Sequence, residues 1–446
     1  MAHMTIRADR IIGTFKPLHG VNNGPVCYGS LIDVSHYYAK TEIPLVRLHD
    51  PNWPHAWEVD IHTIFPDFSK DPADPASYDF SRTDEYIRTI VATGADIVYR
   101  LGESIEHTAT KYYIHPPEDY GKWAQICIGI IRHYNQGWAG GFHYGIKYWE
   151  IWNEPDKVVG PKHKMWSGTW EQFYELYAAA STAIKRFDPQ LKVGGYAATS
   201  VNRDDFLNEF LTVCRDRRLP LDFFSWHVYS ADPQQIVKDA RFAREKLDAY
   251  GYPQAESHLN EWNYFEGDFR TIWQPGNEHI RRLVFERAKG SVGASFVATV
   301  LMLMQDLPVD AANYYDGQPT ALFCGLFDYY GVPQKAYYAF EAFHELLQHP
   351  QRVHAAVSET APGITCCCGA DASGHIALLI SNYNGKSGTY HIEVQGIASG
   401  SEFLLQTYVL NDKQELDLQE ESTRNIASLE LFIPQHTVLL LKAAPV

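Results

Sequence analysis

Two carboxylates in this chain stand where an apolar run stops. Ile146–Trp152 leads into Asn153-Glu154-Pro155-Asp156, and the run from Glu256 leads through Asn260 into Glu261-Trp262-Asn263. A solvated helix face does not account for a glutamate at a strand end. Set across one pocket, two such groups could cleave a glycosidic bond. One must be protonated to donate to the leaving oxygen, and the other ionised to attack the anomeric carbon. A separation of about 5 to 5.5 Å makes that reaction retaining, through a covalent intermediate. The ionised partner raises the pKa of the acid, and the acid turns into a base after attack. Either glutamate alone reads as a salt-bridge partner. Their spacing, 107 residues between positions 154 and 261, is what makes the pair informative.

The elements that must position them recur with one rhythm. Apolar runs alternate with amphipathic stretches, giving eight candidate strands near residues 16–22, 44–49, 95–102, 146–152, 192–199, 221–229, 256–264 and 309–316. Near-continuous apolar character marks strands buried on both faces, as in parallel sheets. Helix signals lie between them. Thr169 with Gln172 three residues on forms a capping box, apolar residues follow at helical spacing to Phe187, and Asp188-Pro189 closes the stretch. Eight such units predict an α/β (β/α)8 TIM barrel over residues 15–349, its last helix near 334–348. At roughly 35 residues per unit, the 107-residue gap spans three units, so the glutamates top strands four and seven of one mouth. The rival, an open doubly wound sheet, lacks any GxGxxG or Walker pattern. Beyond His349, short β-rich pieces separated by Gly, Asn, Asp and Pro predict an accessory antiparallel β-sandwich. It comprises 350–446 with residues 1–14 and reads as a structural cap or as a sugar-binding module.

Composition narrows the partners. Lys and Arg number 38 against 54 Asp and Glu, a net charge of −16, which argues against binding a nucleic-acid backbone. No spanning helix or signal peptide is visible, so no membrane partner is expected. Of seven Cys, three are adjacent (Cys366 to Cys368). That spacing suits neither a disulfide framework nor a metal site, and points to reduced thiols and a cytoplasmic setting. His344 and His349 flank a zinc-protease-like HExxxH, but five residues apart they leave a single helix face. No metal and no cofactor is expected. Homo-oligomerisation stays open.

The run Tyr148–Asp156, YWEIWNEPD, resembles the acid/base motif of clan A glycoside hydrolases, most closely family 39, which contains β-xylosidases and α-L-iduronidases. Asn260-Glu261-Trp262 is similar to the nucleophile strand, and Asp222–Ser230 to the family's sixth strand. The resemblance implies Glu154 as acid/base, Glu261 as nucleophile and Asn153 as a hydrogen-bond partner of the sugar 2-hydroxyl. It also implies that His227 and Tyr229 line the site and that His49 holds a sugar hydroxyl; the alternative for His49 is a satisfied strand-end histidine. Asn263 and Tyr315 read equally as pocket or packing residues.

The third strand ends in charge, Arg100 and Glu103 with Glu106 and His107 beyond, and Trp53, His55 and Trp57 add bulk after the second. Glu103 is accordingly a candidate substrate contact and these groups shape a glycone or aglycone. An iduronidase would need cations, and Arg47, Arg100 and Lys162 are the candidates, the first two reading as buried structural partners. The expectation is a retaining exo-glycosidase cleaving equatorial bonds, β-xylosidase on xylo-oligosaccharides first. An α-L-arabinopyranosidase, an α-L-iduronidase and a disaccharide-releasing glycosidase are alternatives, and an inactive sugar-binding barrel is the reading from another class.

Overall fold

A computed structural model describes residues 3–27, 29–51, 57–106, 110–157, 164–320 and 325–446. Trp53, His55, His107 and Lys162 lie outside them. Eight parallel strands close into a barrel: β2 (Gly20–Asn22), β5 (Leu45–Leu48), β6 (Asp96–Leu101), β7 (Tyr148–Ile151), β8 (Lys192–Ala198), β9 (Phe223–Ser230), β10 (Glu256–Tyr264) and β11 (Ala311–Tyr314). Each falls on one of the eight apolar runs. A hairpin of β3 (Val26–Cys27) and β4 (Ile32–Asp33) follows the first barrel strand.

The signals between strands act as the residue chemistry dictates. Thr169 caps the helix Trp170–Phe187 by accepting from the Gln172 amide, while the Gln172 side chain accepts from the Thr169 amide. Gly194 sits inside β8 because the next strand is close: a Cβ there would lie 2.0 Å from the Phe223 carbonyl. The last barrel helix runs Lys335–Leu347.

The remaining strands form one nine-stranded sheet in which β1 (His3–Thr14) is an interior strand, third from one edge. They are β12 (Gln351–Val357), β13 (Ile364–Ala370), β14 (Ile376–Asn382), β15 (Gly388–Gln395), β16 (Phe403–Leu410), β17 (Glu415–Arg424), β18 (Ser428–Ile433) and β19 (Thr437–Pro445), in the order β17-β16-β19-β14-β13-β12-β1-β15-β18. Its ladders are antiparallel except one. β1 runs antiparallel to β12 and parallel to β15, a departure from the wholly antiparallel expectation that no turn signal could reveal, because β1 arrives from the far end of the chain. Inward residues such as Ile6, Leu378, Ile392, Leu405 and Leu439 pool into one apolar core.

The other face of β14 is buried too. Ala377 and Leu379 join the barrel's core, against the helix Ser291–Leu303, nearly all of whose residues are buried. That contact explains the most apolar run of the sequence. Burial on both faces needs apolar residues all round a helix, and among the described residues no single helix is long and apolar enough to cross a membrane.

Candidate active site

Glu154 stands just past the fourth barrel strand and Glu261 on the seventh, as the spacing requires. The turn that presents Glu154 is held by neighbouring strands. Trp152 and Glu154 both take positive φ, 70° and 48°, a conformation unfavourable for residues with a Cβ. The Trp152 amide donates to the Leu101 carbonyl on β6, and the Glu154 amide to the Ala197 carbonyl on β8. Asp156 fastens the loop by accepting from the Thr199 amide and hydroxyl at 3.2 and 2.8 Å. Glu261 owes its aim to a bulge. Leu259 pairs with Trp226, but the next pair is Glu261 with His227, so Asn260 is an extra residue, and such an insertion re-aims the side chain beside it.

The two carboxylates meet. Glu154, His227 and Glu261 each offer an atom within 4.8 Å of the others. His227 Nδ1 lies 3.1 Å from Glu154 Oε1 and 3.4 Å from Glu261 Oε2. Tyr229 donates its hydroxyl to Glu261 Oε2 at 2.8 Å. Burial lifts the Tyr229 pKa well above its ordinary value, and the nearby Glu261 charge adds to this, so the phenol stays a donor. His49 Nε2 stands 3.8 Å from Glu261 Oε1 and 3.4 Å from Asp50 Oδ2. Burial, with the charge of Arg47 and other cations, keeps His49 neutral. Both glutamates are 5% exposed, enough for a ligand to touch them and little enough to exclude bulk water.

Arg47 organises this group. Fully buried on β5, its Nε donates to Glu150 Oε2 (2.6 Å), Nη1 to Glu261 Oε1 (2.9 Å) and Asn22 Oδ1 (3.1 Å), and Nη2 to Asn153 Oδ1 (2.8 Å). Asn260 Nδ2 in turn donates to Glu150 Oε1 at 2.5 Å. Because Arg47 takes the Asn153 oxygen, that amide's nitrogen is left buried with no protein partner among the described residues, and it can donate to a ligand hydroxyl. Arg47 reads in the sequence as a candidate cation for a substrate carboxylate or as a buried structural partner; it is buried and ion-paired, and through the same fork it fixes Glu261 and Asn153.

Lys157 gave no signal in the sequence. Its Nζ lies 2.5 Å from Glu154 Oε2. Burial opposes the Glu154 charge, but Lys157 and the His227 hydrogen bond outweigh burial and hold Glu154 down to about 2. This corrects the expectation that the ionised partner raises the pKa of the acid: a cation three residues along the loop dominates, and the like charge does not.

Two further carboxyls close by were also missed, Asp50 after β5 and Asp316 after β11. Burial pushes each up to about 7. Tyr315 is held well above its ordinary value by burial, with Asp50, Asp316 and Glu261 adding to it, and its carbonyl accepts from Asn263 Nδ2 at 2.7 Å. Glu103 goes elsewhere. It bonds to His62 and joins a separate group with Asp60, whose carboxylate is taken by Arg100 Nη2 at 2.6 Å and by the Ser104 amide and hydroxyl, both at 2.8 Å. That engagement argues against a direct substrate contact from Glu103. His62 stacks on Tyr113 with centroids 3.4 Å apart, and Trp57, partly exposed, meets both edge-on. Arg100, like Arg47, is fully buried and engaged.

Residues 36–248 match glycosyl hydrolases family 39. The chain is 26% identical over 268 residues to a β-xylosidase of Geobacillus stearothermophilus, covering 52% of this chain and 48% of that enzyme. It is 26% identical over 347 residues to one of Caldicellulosiruptor saccharolyticus, covering 69% and 64%. The chain thus spans about half to just under two thirds of these relatives. A glucosidase structure from Croceicoccus marinus superposes with a TM-score of 0.84 at 25% identity, covering 100% of this chain and 99% of that one. A monomeric β-xylosidase of Caulobacter crescentus, at 16% identity and a TM-score of 0.73 with full coverage of both chains, shows the same fold.

Proposed function

We propose, from the match of residues 36–248 to glycosyl hydrolases family 39 and the likeness to β-xylosidases, that the chain is a retaining exo-glycosidase of that family, acting on β-xylosides of xylo-oligosaccharides. One observation carries the reading: the approach of Glu154 and Glu261 to within 4.8 Å, oxygen to oxygen. Inverting enzymes keep their carboxyls about 6.5–9.5 Å apart to admit a water, and retaining ones about 5–5.5 Å.

Glu261, held by Arg47 and Tyr229, is the nucleophile and attacks the anomeric carbon. Its negative charge passes into the new C–O bond as the leaving oxygen departs. Glu154 delivers a proton to that oxygen, then takes one from the water that releases the sugar. Asn153 Nδ2 donates to the sugar 2-hydroxyl, a contact that strengthens in the oxocarbenium-like transition state, and His49 and Tyr315 line the ring. For Glu154 to donate, Lys157 must leave its carboxylate.

A second reading rests on the full-length resemblance to a glucosidase. Glucose differs from xylose by one hydroxymethyl group, and a pocket distinguishes such a pair by about 1–3 kcal/mol. Paired nitrophenyl β-xyloside and β-glucoside assays decide between them. Azide tests the mechanism. It is expected to rescue Glu154→Ala on a substrate with an activated leaving group and to give a glycosyl azide of retained configuration. No rescue, or an inverted azide, overturns the assignment of Glu154.

A further inference from the structure

Beside the nucleophile, a donor and an acceptor stand close without bonding each other. His49 Nε2 is 3.4 Å from Asp50 Oδ2 and 3.8 Å from Glu261 Oε1, and among the described residues it makes no hydrogen bond to either. His49 is neutral, and a carboxyl on each side of Nε2 favours its hydrogen there.

Asp50 is anchored through its other atoms. Its Oδ1 accepts from the Ile105 amide at 2.8 Å, and Gln318 Nε2 donates to its carbonyl at 3.3 Å. Its Oδ2 makes no hydrogen bond among the described residues. The side chain is 11% exposed, more than that of Glu154 or Glu261, so a ligand that reaches the nucleophile reaches Asp50 as well. The residue takes a φ of 51°, a conformation uncommon for a residue with a Cβ and of a kind that collects at ligand sites. A carboxylate oxygen only accepts and an Nε2–H only donates, whereas a hydroxyl does both. One hydroxyl set between Oδ2 and Nε2 satisfies the pair.

Glu261 identifies which hydroxyl this is. Its Oε1 is shared with Arg47, whose next nitrogen holds Asn153, while its Oε2 belongs to Tyr229 and His227. Asn153 and His49 are thus both on the Oε1 side. Asn153 takes the sugar 2-hydroxyl, and the neighbouring hydroxyl on the ring is the 3-hydroxyl. Resting on the reading of Glu261 as nucleophile and Asn153 as partner of the 2-hydroxyl, we propose that Asp50 is a specificity-determining residue that accepts a hydrogen bond from the 3-hydroxyl of the terminal sugar, with His49 donating to the same oxygen. An ester at that position has no hydrogen to give and fills the space between the two side chains. Chain ends acylated there are cleaved only after a deacylating hydrolase has freed the hydroxyl.

The test uses the full chain with nitrophenyl β-xyloside and its 3-deoxy and 4-deoxy analogues. The variants are Asp50→Asn, which keeps an acceptor for the Ile105 amide, and Asp50→Gly, which suits the positive φ; either one alone carries the test. The kcat/KM ratio of parent to 3-deoxy substrate is expected to be about tenfold or more greater in the wild type than in the variants, the scale of a hydrogen bond to a charged acceptor. The ratio of parent to 4-deoxy substrate is expected to be the same in all three proteins, which a general loss of folding or activity would not produce. A 3-deoxy ratio unchanged by the substitutions, or a change confined to the 4-deoxy ratio, overturns the proposal. Hydrolysis of the parent xyloside that survives Glu261→Gln overturns instead the nucleophile reading beneath it.

Discussion

Substituting Arg47 loads the structure where it is least able to adapt. Three guanidinium nitrogens reach three directions, to Glu150, to Glu261 with Asn22, and to Asn153, at 2.6 to 3.1 Å and without solvent. Arg47→Lys keeps the charge, but one ammonium cannot span the two carboxylates. At least one charge-assisted hydrogen bond is lost, about 1.5–3 kcal/mol. Arg47→Met leaves two buried carboxylates without their cation, about 3–5 kcal/mol for a broken buried pair. The bond to Glu261 also fixes the angle of attack, so kcat/KM for Arg47→Lys is expected to fall roughly ten- to hundredfold, and the melting temperature by several degrees. A nitrophenyl glycoside is the right substrate, because its leaving group departs with little help from an acid and its glycosylation rate reads the nucleophile. Arg47→Lys with wild-type kcat/KM and wild-type melting temperature would refute the view that this fork holds Glu261 in place.

Tyr229→Phe removes one donor from Glu261 Oε2. It is expected to lower kcat/KM about tenfold or more and the melting temperature by a few degrees at most, since the ring stays and only one hydrogen bond to a charged group, about 1.5–3 kcal/mol, is lost; a variant as active as wild type contradicts the role. Asp316 makes stability depend on pH. Its folded pKa is raised from 3.8 to about 7, so the folded state holds a proton the unfolded chain has released, and that contribution, full below 3.8, is lost as pH rises through about 7. The melting temperature of Asp316→Asn relative to wild type is therefore expected to rise between about pH 4 and pH 8, and a difference constant across that range contradicts the burial argument.

Much of this was readable because the strands are self-announcing. Barrel strands are apolar on both faces, so the eight runs stand out, and a carboxylate that ends one is out of place on physical grounds. The capping box at Thr169 is equally local. What the sequence hid is relational. The ion pair of Lys157 with Glu154 joins neighbours in a loop whose path no periodicity sets. Asp50 and Asp316 look like ordinary loop acids until the barrel closes β11 against β2 and β5 and places both beside Glu261. The bond of Glu103 to His62 was hidden for the same reason, because His62 is reached only through the β5 loop. The parallel partnership of β1 with β15 likewise depends on a pairing between chain ends.

The account stands on which carboxylate becomes bonded to sugar. A 2-deoxy-2-fluoro xylosyl fluoride slows both steps and lets a covalent intermediate accumulate. After proteolysis, mass spectrometry of the inactivated protein is expected to show one fluoroxylosyl group, on the peptide that contains Glu261 and on that residue. Modification of Glu154 or any other carboxylate, or turnover that yields the inverted sugar with no adduct, would contradict it.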